Sequence, residues 1–348
     1  MSEEAPRYDA LLVVSFGGPE SPSDVVPFLE NVLRGKNVPR RRLLDVAEHY
    51  YELGGRSPIN DQNRALIAAL ERELAKRGPA LPIYWGNRNW HPLLADTLGK
   101  MARDGVRRAL AFVTSAFSSY SGCRQYRENI ERARDEAGPE APEVHKLRVF
   151  YNHPGFIGPM VERVEDAFAL LDARRKKTAE LIFTAHSVPL AMAETSRYVE
   201  QLEEACRLVA ESVGREAWTL VYQSRSGPPE QAWLEPDIND HLAALKRRGA
   251  QDVVVAPIGF ISDHMEVLYD LDTEAKRTAD ELGLRMVRAE TAGTHPAFIA
   301  MIRELIEERQ GRAEPRALGR LGPSHDVCPP GCCPRPERPA APAAAAQS

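Results

Sequence analysis

The sequence predicts an α/β protein: two similar Rossmann-like domains, each a parallel sheet flanked by helices, with the candidate active-site cleft between them. Three observations predict it. Apolar strand-like runs alternate with segments of helical apolar spacing, the pattern of a parallel sheet covered by helices. That rhythm stops near residues 150–180 and restarts. The stretches "RALAFVTSAFSSYSG" and "DVVVAPIGFISDHME" then share a buried strand, a short polar-aromatic turn and an incipient helix, as two copies of one unit would. A duplicated doubly wound fold places its ligand outside the C-terminal strand ends.

The elements follow in chain order. "YDALLVVSF" is an apolar run that exits into Gly17, Gly18 and Pro19, so it reads as a strand with a tight turn. Two glycines and a proline there let something large approach the backbone. "LPIYWGN", "RALAFVTSAF" and "VHKLRVFY" read as the next strands, with helices over 60–77 and 91–104 between them. "ELIFTAH", "AWTLVYQS" and "QDVVVAPIGF" repeat the series, separated by helices near 197–214 and 236–248. The expected division is 1–165, 166–311, a cysteine-containing extension over 312–333, and a Pro/Ala-rich tail over 334–348 expected to be disordered.

Bulk properties exclude several classes. The formal net charge is −5, which does not suit nucleic acid as the main partner. No apolar run approaches the roughly 20 residues that span a bilayer. Acids stand at the N-terminus where a signal peptide carries bases, so a cytoplasmic location is expected. Of five cysteines, Cys328, Cys332 and Cys333 crowd the tail while Cys123 and Cys206 sit far upstream. In a reducing compartment such a cluster points to metal ligation before disulfides.

The chemistry gathers at two strand ends. His186 closes "LIFTA" and precedes Ser187-Val188-Pro189, which holds the imidazole at a sheet edge. "ISDHMEVLYDLDTEA" carries Asp263, His264 and Glu266 at the start of a helix, and Glu266, Asp270 and Glu274 recur every four residues on one face. Like charges at that spacing cost a helix a few tenths of a kcal/mol per pair, roughly. A solvated helix face would explain them. So would a path for a cation or for protons, since carboxylates with imidazole suit a divalent metal in transit. A basic stretch with Arg34, Lys36, Arg40, Arg41 and Arg42, followed by Tyr50, Tyr51, Arg56 and Ser57, would suit a flat ligand bearing several carboxylates.

Together, "SFGGPE", "GGRSPIN", "GNRNWHP", "FTAHSVP", "QSRSGPPEQAWLEPD" and "PIGFISDHMEVLYDLDTEA" resemble the ferrochelatases, in order, over about residues 8–310. The resemblance implies a lyase that inserts ferrous iron into a porphyrin in haem biosynthesis. It makes His186 and Glu266 the catalytic and metal-contacting pair. Asp263, His264, Asp270 and Glu274 become a proton or cation path along a π-type stretch of helix. Phe16, Arg34, Tyr50, Ser57 and Tyr126 fall on positions that line the porphyrin. The basic stretch and the lack of an apolar docking lip favour coproporphyrin III, with four propionates, over protoporphyrin IX, with two. Protoporphyrin insertion is the alternative, and a non-catalytic tetrapyrrole carrier a more distant one. His49 stands where some relatives carry arginine.

Some ferrochelatases hold a [2Fe–2S] cluster on one internal and three C-terminal cysteines. The resemblance assigns that role to Cys123, Cys328, Cys332 and Cys333, with zinc as the other metal that four thiolates suit. The expected partners are the porphyrin and ferrous iron, with no stable membrane insertion and with contact to neighbouring haem-pathway enzymes.

Overall fold

The computed structural model describes residues 7–36, 38–227 and 230–336. The expected tail from 337 onward lies outside the described residues. Two four-stranded sheets form the frame. The first runs β2-β1-β3-β4, with β1 at Ala10–Ser15, β2 at Ile83–Asn87, β3 at Arg108–Val113 and β4 at Glu143–Lys146. The second runs β6-β5-β7-β8, with β5 at Glu180–His186, β6 at Thr219–Gln223, β7 at Asp252–Ala256 and β8 at Arg285–Arg288. All pairings are parallel, and the two strand orders are the same. Every residue of β1 and β7 is buried, as strands covered by helices on both faces must be.

Four expected helices lie at Ile59–Arg77, Leu94–Arg103, Tyr198–Ser212 and Ile238–Arg247. Two strand expectations change. β8 carries arginines at both ends of a four-residue run, too short and polar to stand out by periodicity. "VHKLRVFY" pairs only through Lys146, because β4 is an edge strand and the chain then leaves for the helix Pro154–Ala169.

The duplication has a signature that strand patterns do not show. After each edge strand comes a His-Pro dipeptide that opens a helix: His153-Pro154 and His295-Pro296. Proline at the first helical position loses no bond, and each histidine caps its helix by accepting from the amide two residues on. The helices Pro154–Ala169 and Pro296–Arg309 pack against each other. Gly155 marks their closest approach, since a Cβ there would lie 2.6 Å from the Ala297 carbonyl oxygen. The second helix also packs on Ile59–Arg77. One core therefore joins residues of both sheets, including Leu11, Phe112, Phe156, Phe183 and Phe298. Segments that follow β1 and β7 meet as well: Gln62 donates to the Asp263 carbonyl and His49 stacks on Tyr269.

Candidate active site

His186 ends β5, and the carbonyl of Ser187 faces its Nδ1. A carbonyl only accepts, so Nδ1 carries the proton and Nε2 keeps its lone pair. Nε2 lies 3.8 Å from Oε2 of Glu266, and both side chains are about a third or more exposed to the cleft, at 34% and 42%. Tyr198 holds the strand end by donating to the His186 carbonyl at 3.0 Å.

Glu266 comes from the turn after β7. His264 caps that turn, its Nδ1 accepting from the Glu266 amide at 3.2 Å. Burial lowers the His264 pKa, which keeps the ring neutral and able to accept. The chain makes one short α turn over Met265–Val267, then a π-helix over Leu268–Ala275, then α-helix again. π-bulges of this kind are rare and concentrate at functional sites.

Asp270 sits one turn behind Glu266. Ser224 donates to its carboxylate, and Gln223 donates to it at 3.3 Å and to the Glu266 carbonyl at 3.1 Å. Burial first, and the charge of Glu266 next, raise the Asp270 pKa to about 7. Glu274 continues the line. Asp263 turns elsewhere. Its carboxylate meets Arg288 at 2.8 Å, Arg288 also pairs with Asp272, and the Asp263 carbonyl accepts from Gln62 across the cleft.

The opposite wall comes from the first sheet. Phe28 packs edge-on against Phe16, Tyr50 and Trp90. Burial, then the charges of Glu266 and Asp270, raise the Tyr50 pKa, so this phenol faces the acid line. Arg88 lies over Phe16 at 5.6 Å and over Tyr126 at 4.5 Å, and donates to the Ser121 carbonyl. Lys36 stands exposed within reach of the Arg88 charge. Arg34, exposed, pairs with Asn31. The glycine turn serves a different purpose from the one expected. What approaches Gly18 is Ser57, whose Cβ lies 2.7 Å from the position a Gly18 Cβ would take, and what approaches Gly17 is Asn87. Ser57 is thus packed beneath the turn, 3% exposed.

The site is an acidic line with a histidine on one wall, facing an aromatic and basic wall across a cleft between two like sheets. A family model described as ferrochelatase matches residues 8–310. The chain belongs to the ferrochelatase family.

Relatives within this ferrochelatase family cover nearly the whole chain. A protein named ferrochelatase from Rhodopirellula baltica is 58% identical over 332 residues, 95% of this chain and 94% of its own length. One named coproporphyrin III ferrochelatase from Streptomyces coelicolor is 52% identical over 362 residues, 97% of this chain and 96% of its own. Among solved structures, SirB from Bacillus subtilis with Fe3+ overlays with a TM-score of 0.54 at 11% identity, covering 88% of this chain and 98% of that one. That likeness shows the fold.

Away from the cleft, the fold gathers the cysteines. The Cys123 thiol beside it, then burial, raise the Cys328 pKa to about 12. Sγ of Cys332 and Cys333 lie 3.7 Å apart. Four thiols meeting in pairs fit the donor set of a [2Fe–2S] cluster. Cys206 is fully buried in the core, apart from them.

Several residues of the site carried no signal by themselves. Gln223 and Ser224 lie in a quoted motif, but only the meeting of β6 with the π-helix shows that they hold Asp270. Tyr269 stacks on His49 at 4.1 Å, joining the π-helix to the first sheet's wall. His325, beside the cysteines, is separated from any recognisable spacing.

Proposed function

We propose that this chain inserts ferrous iron into coproporphyrin III, giving coprohaem III in haem biosynthesis, as a metal-inserting lyase of the cytoplasm. The observation that carries the reading is the pair His186 and Glu266, two acceptors facing each other 3.8 Å apart at the mouth of the acid line. Metal insertion releases two pyrrole protons, and an imidazole with a free Nε2 accepts one at neutral pH. Glu266 hands protons to Asp270, whose pKa of about 7 lets it both take and release them. Glu274 continues that path, with Asp263 and His264 shaping its entrance. Binding energy spent on bending the macrocycle exposes its nitrogen lone pairs.

Phe16 and Tyr50 supply flat contact, Tyr126, buried, backs Arg88 from behind, and Ser57 supports the turn. Lys36, Arg34 and Arg88 put three cations at the rim, which supports a ligand with more propionates rather than fewer. The relatives' names point the same way. Among the described residues no helix is long and apolar enough to cross a membrane. Contact with neighbouring haem-pathway enzymes fits the need to keep an apolar ring out of water. One sheet on each side of residue 165 supports the division at 165/166, with 312–333 as an extension.

Cys123, Cys328, Cys332 and Cys333 would hold a [2Fe–2S] cluster, which supplies one-electron redox chemistry and a cross-link to the tail when bound. The insertion steps above use only the cleft residues.

The test is anaerobic insertion with ferrous iron offered to coproporphyrin III and protoporphyrin IX, followed at the Soret band. Preferential turnover of coproporphyrin supports the proposal. Preference for protoporphyrin assigns the alternative substrate, and tight binding without insertion into either makes the chain a carrier.

A further inference from the structure

The cysteine site holds one donor more than a four-thiolate cluster uses. His325, Cys328 and Cys332 each bring a ligand atom to within 4.8 Å of the other two. Nε2 of His325 is 3.6 Å from Sγ of Cys332. Zinc–nitrogen and zinc–sulfur bonds of about 2.0 and 2.3 Å at a tetrahedral angle put their two donor atoms about 3.6 Å apart. Cys123 lies near enough to Cys328 to act on its thiol and stands outside this set of three. Cys333 stands outside the three, its Sγ 3.7 Å from that of Cys332 and its backbone left-handed at φ 49°.

We propose that His325, Cys328 and Cys332, with Cys123 as fourth donor, form a mononuclear site for zinc or a similar borderline divalent cation, exclusive with the cluster because both need Cys328 and Cys332. Three thiolates and one neutral imidazole leave a bound dication with net charge −1. The surroundings balance it: the Arg127 and Lys146 charges reach Cys328, and Arg124 donates to the Cys332 carbonyl. On binding, three thiol protons leave to solvent and no electron moves. Zinc outcompetes ferrous iron for such donors. The site would keep the extension docked on the turn Tyr120–Arg124, which leads into Tyr126 at the cleft wall, when no cluster has been assembled. His325 serves the single ion, and Cys333 serves the cluster.

The experiment uses the full chain, freed of metal under reducing and anaerobic conditions, and titrated with Co2+ alone and then Zn2+. The cleft residues include no thiol, so thiolate-to-cobalt charge transfer reports this site. We expect one cobalt per chain in a tetrahedral environment, displaced by zinc, with X-ray absorption of the zinc form at that site showing one nitrogen and three sulfur neighbours. His325→Ala should weaken cobalt binding by more than the roughly tenfold that loss of an outer-shell partner costs and leave the absorption of a reconstituted cluster unchanged. Cys333→Ala should do the reverse. An all-sulfur shell, no thiolate band, or a His325→Ala chain that binds cobalt as tightly as the parent overturns the proposal. So does loss of the cluster in His325→Ala with its thermal melt unchanged. The wild-type absorption result decides the question if either variant fails to fold.

Discussion

Nε2 of His186 and Oε2 of Glu266 face each other 3.8 Å apart, one from the end of β5 and the other from the turn after β7. The tautomer that Ser187 selects turns the Nε2 lone pair towards the carboxyl of Glu266. Two acceptors held together at that distance leave a gap suited to a proton or a cation.

Replacing His186 by alanine should therefore remove turnover and spare binding. We expect insertion to fall at least about a hundredfold, the usual scale for a lost general base. Quenching of porphyrin fluorescence should give a binding constant within a few-fold of the parent. Insertion retained within tenfold would take the proton acceptor's role from His186.

Asp270 ties the rate to pH. Burial holds its carboxyl up at about 7, so it is protonated below that pH and accepts protons only above it. Insertion should rise as pH passes through about 7, and Asp270→Asn should flatten that limb. Stability moves with the opposite sign. The unfolded carboxyl ionises near 4, so the native state loses stability as pH climbs from about 4 to about 7 and levels off above. Asn has no such cost. Its advantage over Asp in a denaturant melt should be larger at pH 8 than at pH 5, by on the order of 2 kcal/mol.

Arg88 lies over Phe16 and Tyr126 and next to Lys36. Its removal should weaken the hold on a carboxylate-bearing macrocycle without touching the proton path. For Arg88→Ala we expect the coproporphyrin KM to rise about tenfold, the scale of one desolvated cation–π or charge-assisted contact. The kcat should stay within about threefold. Equal losses in both would place Arg88 in the chemistry instead.

Glu308 tests how the extension is anchored. Its carboxylate meets Arg148 at 2.7 Å with the two side chains 5% and 3% exposed, and it also accepts from the Arg316 amide. Glu308→Ala would leave the Arg148 guanidinium buried without its counter-charge, a loss of about 3–5 kcal/mol. The thermal midpoint should drop by several degrees and limited proteolysis should cut after the helix Pro296–Arg309. An unchanged melt would mean that water reaches Arg148.

Periodicity and local spacing were enough to place most of this molecule. Apolar runs such as "ALLVVS" and "DVVVA" are long and β-branched because both sheet faces are covered, so burial is written into them directly. The echo of one half in the other announced two similar units, and His186 and the acidic ladder stood at strand ends, where a doubly wound fold exposes its ligands. What the tertiary structure alone decided is which groups meet. β8 is legible only as a partner of β7. The glycines of the first turn make room for Ser57 and Asn87, side chains from much later in the chain. Asp270 owes its raised pKa to a burial that Ser224 and Gln223 help to build from another strand. The extension that carries His325 and Cys332 meets the turn that holds Cys123 through Arg124, which donates to the Cys332 carbonyl. Local patterns report what a residue prefers over a few neighbours. Desolvation, proton affinity and metal geometry depend on distances between segments far apart in the chain, and only packing sets those.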